Sequence, residues 1–337
     1  MFKSCVIGLG KMGISHCAIV NTHPLLDLVT VCDTSSFVLD VFKRYSAVRC
    51  YTDYKEMFQN EELDCVFVAT PTKFHFDIVK SALDKGLHVF CEKPFSLHVD
   101  EGKELVDLSL KRGVVNQVGY HNRFIGTFNY FKKLIEAGIL GNVYHFVGEA
   151  YGPVVTRKKG GTWRSKGSEG GGCLFDYASH VINLIEFILG DIKSVDGTQL
   201  KKIYSSGVED AVYSALILEN GVSGNLSVNW SDETYRKMST QITAIGTEGK
   251  IISDAQEIRI YSKKGNEKFG LEKGWTIKYI TDLTDNVDFY LRGEEYSAQV
   301  DNFAKSMESE ASHNKSSFES ALNTDRVIEK LNNYQTQ

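Results

Sequence analysis

The pattern of apolar positions changes character about a third of the way along the chain. Over the first 120 residues, short apolar runs alternate with longer stretches of helical period. The runs are Cys5-Val6-Ile7, Leu28–Cys32, Cys65–Ala69, Leu87–Phe90 and Val114–Val118. Unbroken β-branched runs of this length suit strands buried on both faces of a parallel sheet. Between them, residues 73–86 repeat Phe74, Ile78 and Ala82 every four positions and reach Gly86 where a helix C-cap belongs. Strand and helix in repetition predict a doubly wound α/β domain.

Beyond residue 121 the period shifts. A helix is expected over 126–138, ending at Gly138, followed by long strands. Val222, Gly224, Leu226, Val228 and Trp230 alternate with Ser223, Asn225, Ser227 and Asn229. Strict period two buries one face and wets the other, which favours an antiparallel sheet. Asn220-Gly221 predicts a two-residue hairpin back to a strand over Val212–Leu218. Near the end, Tyr296, Val300, Phe303 and Met307 return to helical spacing, and the late aromatics, Trp275 and Tyr296 among them, read as core. The division expected is 1–121 for the α/β domain and 122–337 for an α+β domain built on a large, open, mostly antiparallel sheet.

Composition narrows the function classes. The 337 residues are 42% hydrophobic and 24% charged, ordinary for a globular chain of two domains. With 38 Lys and Arg against 43 Asp and Glu, the net charge of −5 argues against nucleic acid as partner. No run of 18 apolar residues offers a membrane span, and the N-terminus lacks a signal-peptide core. Seven scattered cysteines never form Cys-x-x-Cys, so neither a disulfide framework nor a metal site is expected, and a reduced, cytoplasmic setting is.

Gly8-Leu9-Gly10-Lys11-Met12-Gly13 follows the first strand directly and opens a helical pattern. That is the context a dinucleotide fingerprint requires: glycines for the turn and for close approach of a pyrophosphate, which rests on the helix N-terminus. Asp33 closes the second strand 20 residues after Gly13, where a carboxylate accepts hydrogen bonds from a ribose diol. A carboxylate there repels a 2′-phosphate, and Thr34-Ser35-Ser36-Phe37 supplies no Arg to hold one. NAD is therefore expected in preference to NADP, on a Rossmann domain.

Two further segments, Ala69-Thr70-Pro71-Thr72-Lys73-Phe74-His75 and Cys91-Glu92-Lys93-Pro94-Phe95, fall at C-terminal strand ends, where open α/β sheets bind ligands. With the glycine fingerprint they resemble the glucose–fructose oxidoreductase / inositol dehydrogenase (Gfo/Idh/MocA) family. The likeness continues through Gly119–Phe124, Trp163-Arg164, Gly170–Asp176 and Asp176-Tyr177-Ala178-Ser179-His180, and so covers most of the chain. The resemblance implies Lys93 beside nicotinamide and substrate, and adds Thr70, Pro71, Thr72, His75, Glu92 and Arg123 to the cofactor site. For His75 a plain helix-surface position is the alternative; for Arg123, an interdomain ion pair. The resemblance also implies a homodimer or homotetramer assembled through the second domain's sheet.

Asp176 and His180 can be read without the family. On a helix starting near Gly172 their i, i+4 spacing puts both on one face, where a carboxylate can orient an imidazole for proton transfer. His16, His23, His98, His145 and His313 show no ligand spacing and read as structural or exposed. The family's inositol-type pattern continues His-x-Ile-Asp, whereas this chain has His180-Val181-Ile182-Asn183, which weakens an inositol-like substrate. Residues 157–166 hold five cations and no acid. Trp163 there offers a face to a sugar ring and Arg164 a fork to an anion, a pattern that leans towards a phosphorylated, acidic or nucleotide-linked sugar. The expected function is NAD-dependent oxidation of a secondary hydroxyl of a sugar derivative, with Lys93, Asp176 and His180 catalytic and Lys93, Arg123, Trp163, Arg164, Asp176 and His180 at the substrate. A cofactor-retaining or non-sugar carbonyl oxidoreductase, or a non-catalytic NAD- or sugar-sensing protein, would share the same fingerprint.

Overall fold

Six parallel strands and their crossover helices account for the first third of the chain. In order they are β1 (Phe2–Ile7), α1 (Lys11–Thr22), β2 (Leu26–Cys32), α2 (Ser36–Tyr45), β3 (Arg49–Tyr51), α3 (Tyr54–Asn60), β4 (Cys65–Val68), α4 (His75–Asp84), β5 (His88–Cys91), α5 (Val99–Arg112) and β6 (Asn116–Val118). The computed structural model describes residues 1–158, 163–287, 293–308 and 314–334. The sheet order β3-β2-β1-β4-β5-β6 reverses direction between β1 and β4. That switch opens a crevice at the C-terminal strand ends, the place where such sheets take ligands.

Both faces of this sheet are buried, as the continuous apolar runs predicted. Cys5 and Ile7 face one core with Val66, Val68 and Val89, while Val6 faces the other with Val31, Phe67 and Phe90. The helix expected over 73–86 begins two residues later than its apolar spacing implied. Thr72–Phe74 form a 3₁₀ turn, which swings Phe74 out to solvent, and α4 follows from His75. β3 had no apolar run to announce it, because only three residues pair at the sheet edge.

The remainder is α6 (Gly126–Glu136), β7 (Val143–Tyr151), α7 (Ser179–Leu189), β8 (Ile192–Lys201), β9 (Ala211–Leu218), β10 (Ser223–Asn229), β11 (Ser239–Gly246), β12 (Gly249–Ser253), β13 (Glu257–Ser262), β14 (Gly274–Tyr279), α8 (Ile280–Leu283), α9 (Glu294–Glu308) and α10 (Phe318–Asn332). The chain forms two compact units, Met1–His121 with Val287–Asp325, and Asn122–Asn286 with Arg326–Gln337. Assigning everything after 121 to the second domain is thus corrected. The predicted helix containing Val300 and Phe303 exists as α9, but it belongs to the first unit. There Phe303 meets Phe67 and Phe90 edge-on, with ring centres 5.4 and 5.9 Å apart. Tyr296 of the same helix is half-buried against His121.

In the second unit, eight strands run in the order β14-β13-β12-β11-β7-β10-β9-β8, antiparallel except for the pair β7–β10. α7 lies on β7 at Gly148, where a Cβ would come within 2.6–2.7 Å of Ile185 and Val181. The apolar stretch 167–189, long enough to cross a bilayer, is buried in this unit's core. The expected alternation on β10 holds: Gly224, Leu226 and Val228 face inward, and Ser223 to Asn229 at odd positions face out. The hairpin at Asn220-Gly221 has three loop residues rather than two. Leu218 pairs with Val222, and Gly221 takes the left-handed conformation at φ 84°. Trp275, read as core from sequence, stands 56% exposed on β14 beside Tyr261.

Candidate active site

The glycine turn joins β1 to α1 as the fingerprint requires. Gly8 has φ 90°, and a Cβ on it would lie 2.8 Å from the backbone of Ala69 and Thr70 at the end of β4. A Cβ on Gly13 would strike the carbonyl oxygen of Gly8, so this glycine sets how closely α1 approaches the strand. Gly10 faces open space, with no atom of the described residues within 4 Å of its Cβ position. Open backbone at the first turn of a helix is what a pyrophosphate needs. Asp33 directly follows β2, and its carboxylate is already tied down: the Leu9 N–H of the turn donates to Oδ2 at 2.6 Å and the Ser35 N–H to Oδ1 at 2.8 Å. Thr34 is exposed beside it, as are Lys11 and Pro71, while Met12 and Thr70 are half-buried and Thr72 is buried.

At the end of β5, Glu92 is buried and Lys93 half-buried. The His16 ring on α1 meets Glu92 Oε1 through Nε2 at 2.7 Å, and the Lys93 N–H donates to Glu92 Oε2 at 3.3 Å. Burial alone would push the Glu92 carboxyl up. The hydrogen bond and charge of His16, with the charges of Lys93 and His121, hold it below the usual carboxylate range instead. His75 is fully buried, so its helix-surface reading is corrected. Its Nδ1 lies 3.1 Å from the Pro94 carbonyl and its Nε2 2.9 Å from that of Thr70, clasping the loops after β4 and β5 together. Burial depresses its imidazole pKa.

In the second unit, Gly170–Gly172 packs backbone against backbone. A Cβ on Gly171 would lie 2.5 Å from the carbonyl oxygens of Trp163 and Arg164. This close approach sets Arg164 beside the next segment, where its Nε donates to Asp176 Oδ2 at 3.0 Å. The Arg164 guanidinium also lies 4.6 Å from the Trp163 ring centre. The expected anion fork therefore has its Nε engaged, and one indole face expected for a sugar is covered. Asp176 sits in a π-turn, Leu174–Ala178, that winds into α7 at Ser179. The straight helix assumed for the Asp176–His180 pair is corrected accordingly, because a π-turn rotates Asp176 relative to α-helical i, i+4 spacing. His180 and Asp176 are both buried.

Arg123 is buried too, with its Nε donating to Asn183 Oδ1 at 2.6 Å and its guanidinium 5.2 Å from the Phe187 ring. Asn183 thus acquires a partner at the very position where the chain departs from the inositol-type pattern. Of the cationic run, Arg157 and Lys158 are exposed, and 159–162 lie outside the described residues. Of the remaining histidines, His23 is buried on Asp301, His98 is exposed, His145 is half-buried, and His313 lies outside the described residues.

Two family models match the chain. One, described as an oxidoreductase family with an NAD-binding Rossmann fold, spans residues 2–120, and the other, the GFO/IDH/MocA C-terminal domain, spans 128–252. The chain belongs to the Gfo/Idh/MocA oxidoreductase family. Among its relatives are scyllo-inositol 2-dehydrogenase (NAD(+)) of Bacillus subtilis, 26% identical over 78% of both chains, and D-glucoside 3-dehydrogenase of Escherichia coli, 27% identical over 65% of this chain and 67% of that one. Levoglucosan dehydrogenase in complex with NADH shares the fold, with a TM-score of 0.85 at 19% identity over 98% of this chain and 95% of that one.

As a Gfo/Idh/MocA member, the protein is an oxidoreductase that acts on CH–OH groups with NAD. The glycine turn, its open Gly10 and the anchored Asp33 fit that cofactor. Sequence reasoning missed two residues that shape the site, His16 and Glu209. His16 stands three positions after Gly13 on the inward face of α1, a spacing that could have marked it as buried. The carboxylate of Glu209 accepts from the Leu174 N–H at 2.8 Å and so caps the turn that carries Asp176. Nothing in its local sequence announces that role.

Proposed function

We propose that this protein oxidises a secondary hydroxyl of a ring polyol or sugar to the ketone. The reading rests first on Lys93, which follows β5 in the NAD-binding unit with its main chain tied to a buried, charged Glu92. Bound NAD supplies the hydride acceptor. Lys93 holds the reacting oxygen and stabilises negative charge as its proton leaves. His180 takes that proton, and Asp176, with Arg164 paired to it, fixes the local charge. The relatives named for an inositol, a glucoside and levoglucosan support a ring substrate. Because Arg164 is already engaged with Asp176, the proposal takes a neutral ring as the substrate class, in place of the anionic one that the cationic run favoured. Self-association through the open face of the eight-stranded sheet completes the proposal, since Trp275, Ile277 and Tyr279 stand exposed there.

A panel of neutral, phosphorylated and nucleotide-linked sugars, read by NADH absorbance, tests this. Turnover of a neutral polyol supports the reading; turnover confined to anionic sugars overturns the substrate class, and none with any sugar overturns the reading as a whole.

A further inference from the structure

His16 has no place in the chemistry above, yet it is fully buried against Glu92, the residue before Lys93. Its ring lies 5.0 Å from that of Phe90 and 5.9 Å from that of Phe67, so aromatic packing fixes its plane. Among the described residues its Nδ1 meets no hydrogen-bond partner, so Nε2 carries the donor hydrogen and points it at Glu92 Oε1. The other carboxylate oxygen receives the Lys93 N–H. Behind Glu92 the space is closed: a Cβ on Gly119 would lie 2.9 Å from Oε2. The carboxylate is thus tied to α1 on one oxygen and to the main chain at Lys93 on the other, with Gly119 leaving it room.

We propose that His16 is a positioning residue for Lys93, acting through Glu92. The pair ties the helix that opens the glycine fingerprint to the strand end that carries the lysine, so the cofactor cradle and the reactive amine keep one fixed spacing. Without the imidazole, Glu92 loses the hydrogen bond that ties it to α1. A buried carboxylate so deprived turns towards another donor or takes up a proton, and the Lys93 loop shifts with it. The inference rests on the proposed role of Lys93 at the reacting oxygen.

His16→Phe keeps the aromatic packing and removes the bond; His16→Gln returns an N–H near the position of Nε2; Glu92→Gln removes the charge with little change in volume. In His16→Phe and Glu92→Gln, kcat should fall roughly 10- to 100-fold, the cost of displacing a reacting group by a fraction of an ångström to one ångström. KM for NAD and for the sugar should move less than about threefold, and the double variant should be no slower than the worse single one. His16→Gln should recover most of the rate.

A second readout needs no turnover: the rate at which acetic anhydride acylates Lys93, followed by mass spectrometry against exposed Lys103. It should change at least about threefold in both His16→Phe and Glu92→Gln if the amine is displaced. Rates within twofold of the unmutated protein in both assays, with NADH binding and thermal unfolding intact, would overturn the inference. So would a His16→Gln variant as slow as His16→Phe, since packing rather than the hydrogen bond would then matter. Lys93→Met separates this from the underlying reading. If it leaves kcat within tenfold, the role of Lys93 is wrong; if it abolishes turnover while the His16 variants do not, only the positioning role fails.

Discussion

Single residues carry the cofactor's identity. Asp33 is fixed by two backbone donors before any ribose arrives, so its charge occupies a set position rather than a mobile one. Asp33→Ala should therefore narrow the preference for NAD over NADP in kcat/KM by about tenfold or more, and an unmutated protein that uses both equally would refute the assignment. All seven cysteines are free thiols. Burial pushes Cys17, Cys32 and Cys65 up to about 12, raises Cys5, Cys91 and Cys173 well above the ordinary thiol range, and also raises half-buried Cys50. Titration of the native protein with a disulfide reagent near pH 8 should modify Cys50 first and the other six only on unfolding. The glycines and Asp33 were legible in sequence because one short segment contains the whole device. The bond between His16 and Glu92 was not, because 76 residues separate its ends and only the parallel pairing of β1, β4 and β5 brings them together.

At the scale of elements, buried carboxylates pin the loops that strands leave behind. Asp210 enters β9 with Oδ2 accepting the backbone N–H groups of Ile203, Tyr204 and Ser205 at 2.6–2.8 Å, and Oδ1 accepting the Trp230 indole N–H at 2.7 Å. Burial would raise this carboxyl, but the bonds from Ser205, Trp230 and Ile203 outweigh it and hold the group below the usual range. Because the folded value lies below the unfolded one, this stabilisation is complete above the ordinary carboxylate pH and fades as the solution is acidified through the lowered value. Asp210→Asn turns one acceptor into a donor facing donors. It should cost roughly 2–4 kcal/mol in urea unfolding at pH 7, and less as the pH is lowered below about 4. A cost under 0.5 kcal/mol at pH 7 would contradict the clamp. β10 was readable from its alternation and β9 from the hairpin that joins them, whereas the clamp was not, since a lone Asp between two strands looks like any turn residue. The π-turn before α7 was equally hidden, because π and α segments draw on the same residue types.

Across the whole molecule, the two folds followed from periodicity, but the path of the chain between them did not. α9 carries an ordinary amphipathic stripe, and no local feature says which core it completes. Exposed Trp275 was misread for the same reason: an aromatic strand position signals a packed face without saying whether the packing lies within one chain. If that face meets a second copy, Trp275→Glu with Ile277→Lys should lower the sedimentation coefficient towards that of a monomer and leave the fold intact; an unchanged coefficient would place the contact elsewhere. The claim on which the rest depends is that Lys93 serves hydride transfer from a sugar hydroxyl. The decisive measurement is kcat for NAD reduction at 340 nm, in the unmutated protein and in Lys93→Met, on a polyol that the unmutated protein turns over. A fall in kcat of roughly 10²- to 10⁴-fold with NAD affinity little changed is the predicted result. Turnover within tenfold of the unmutated rate would contradict it.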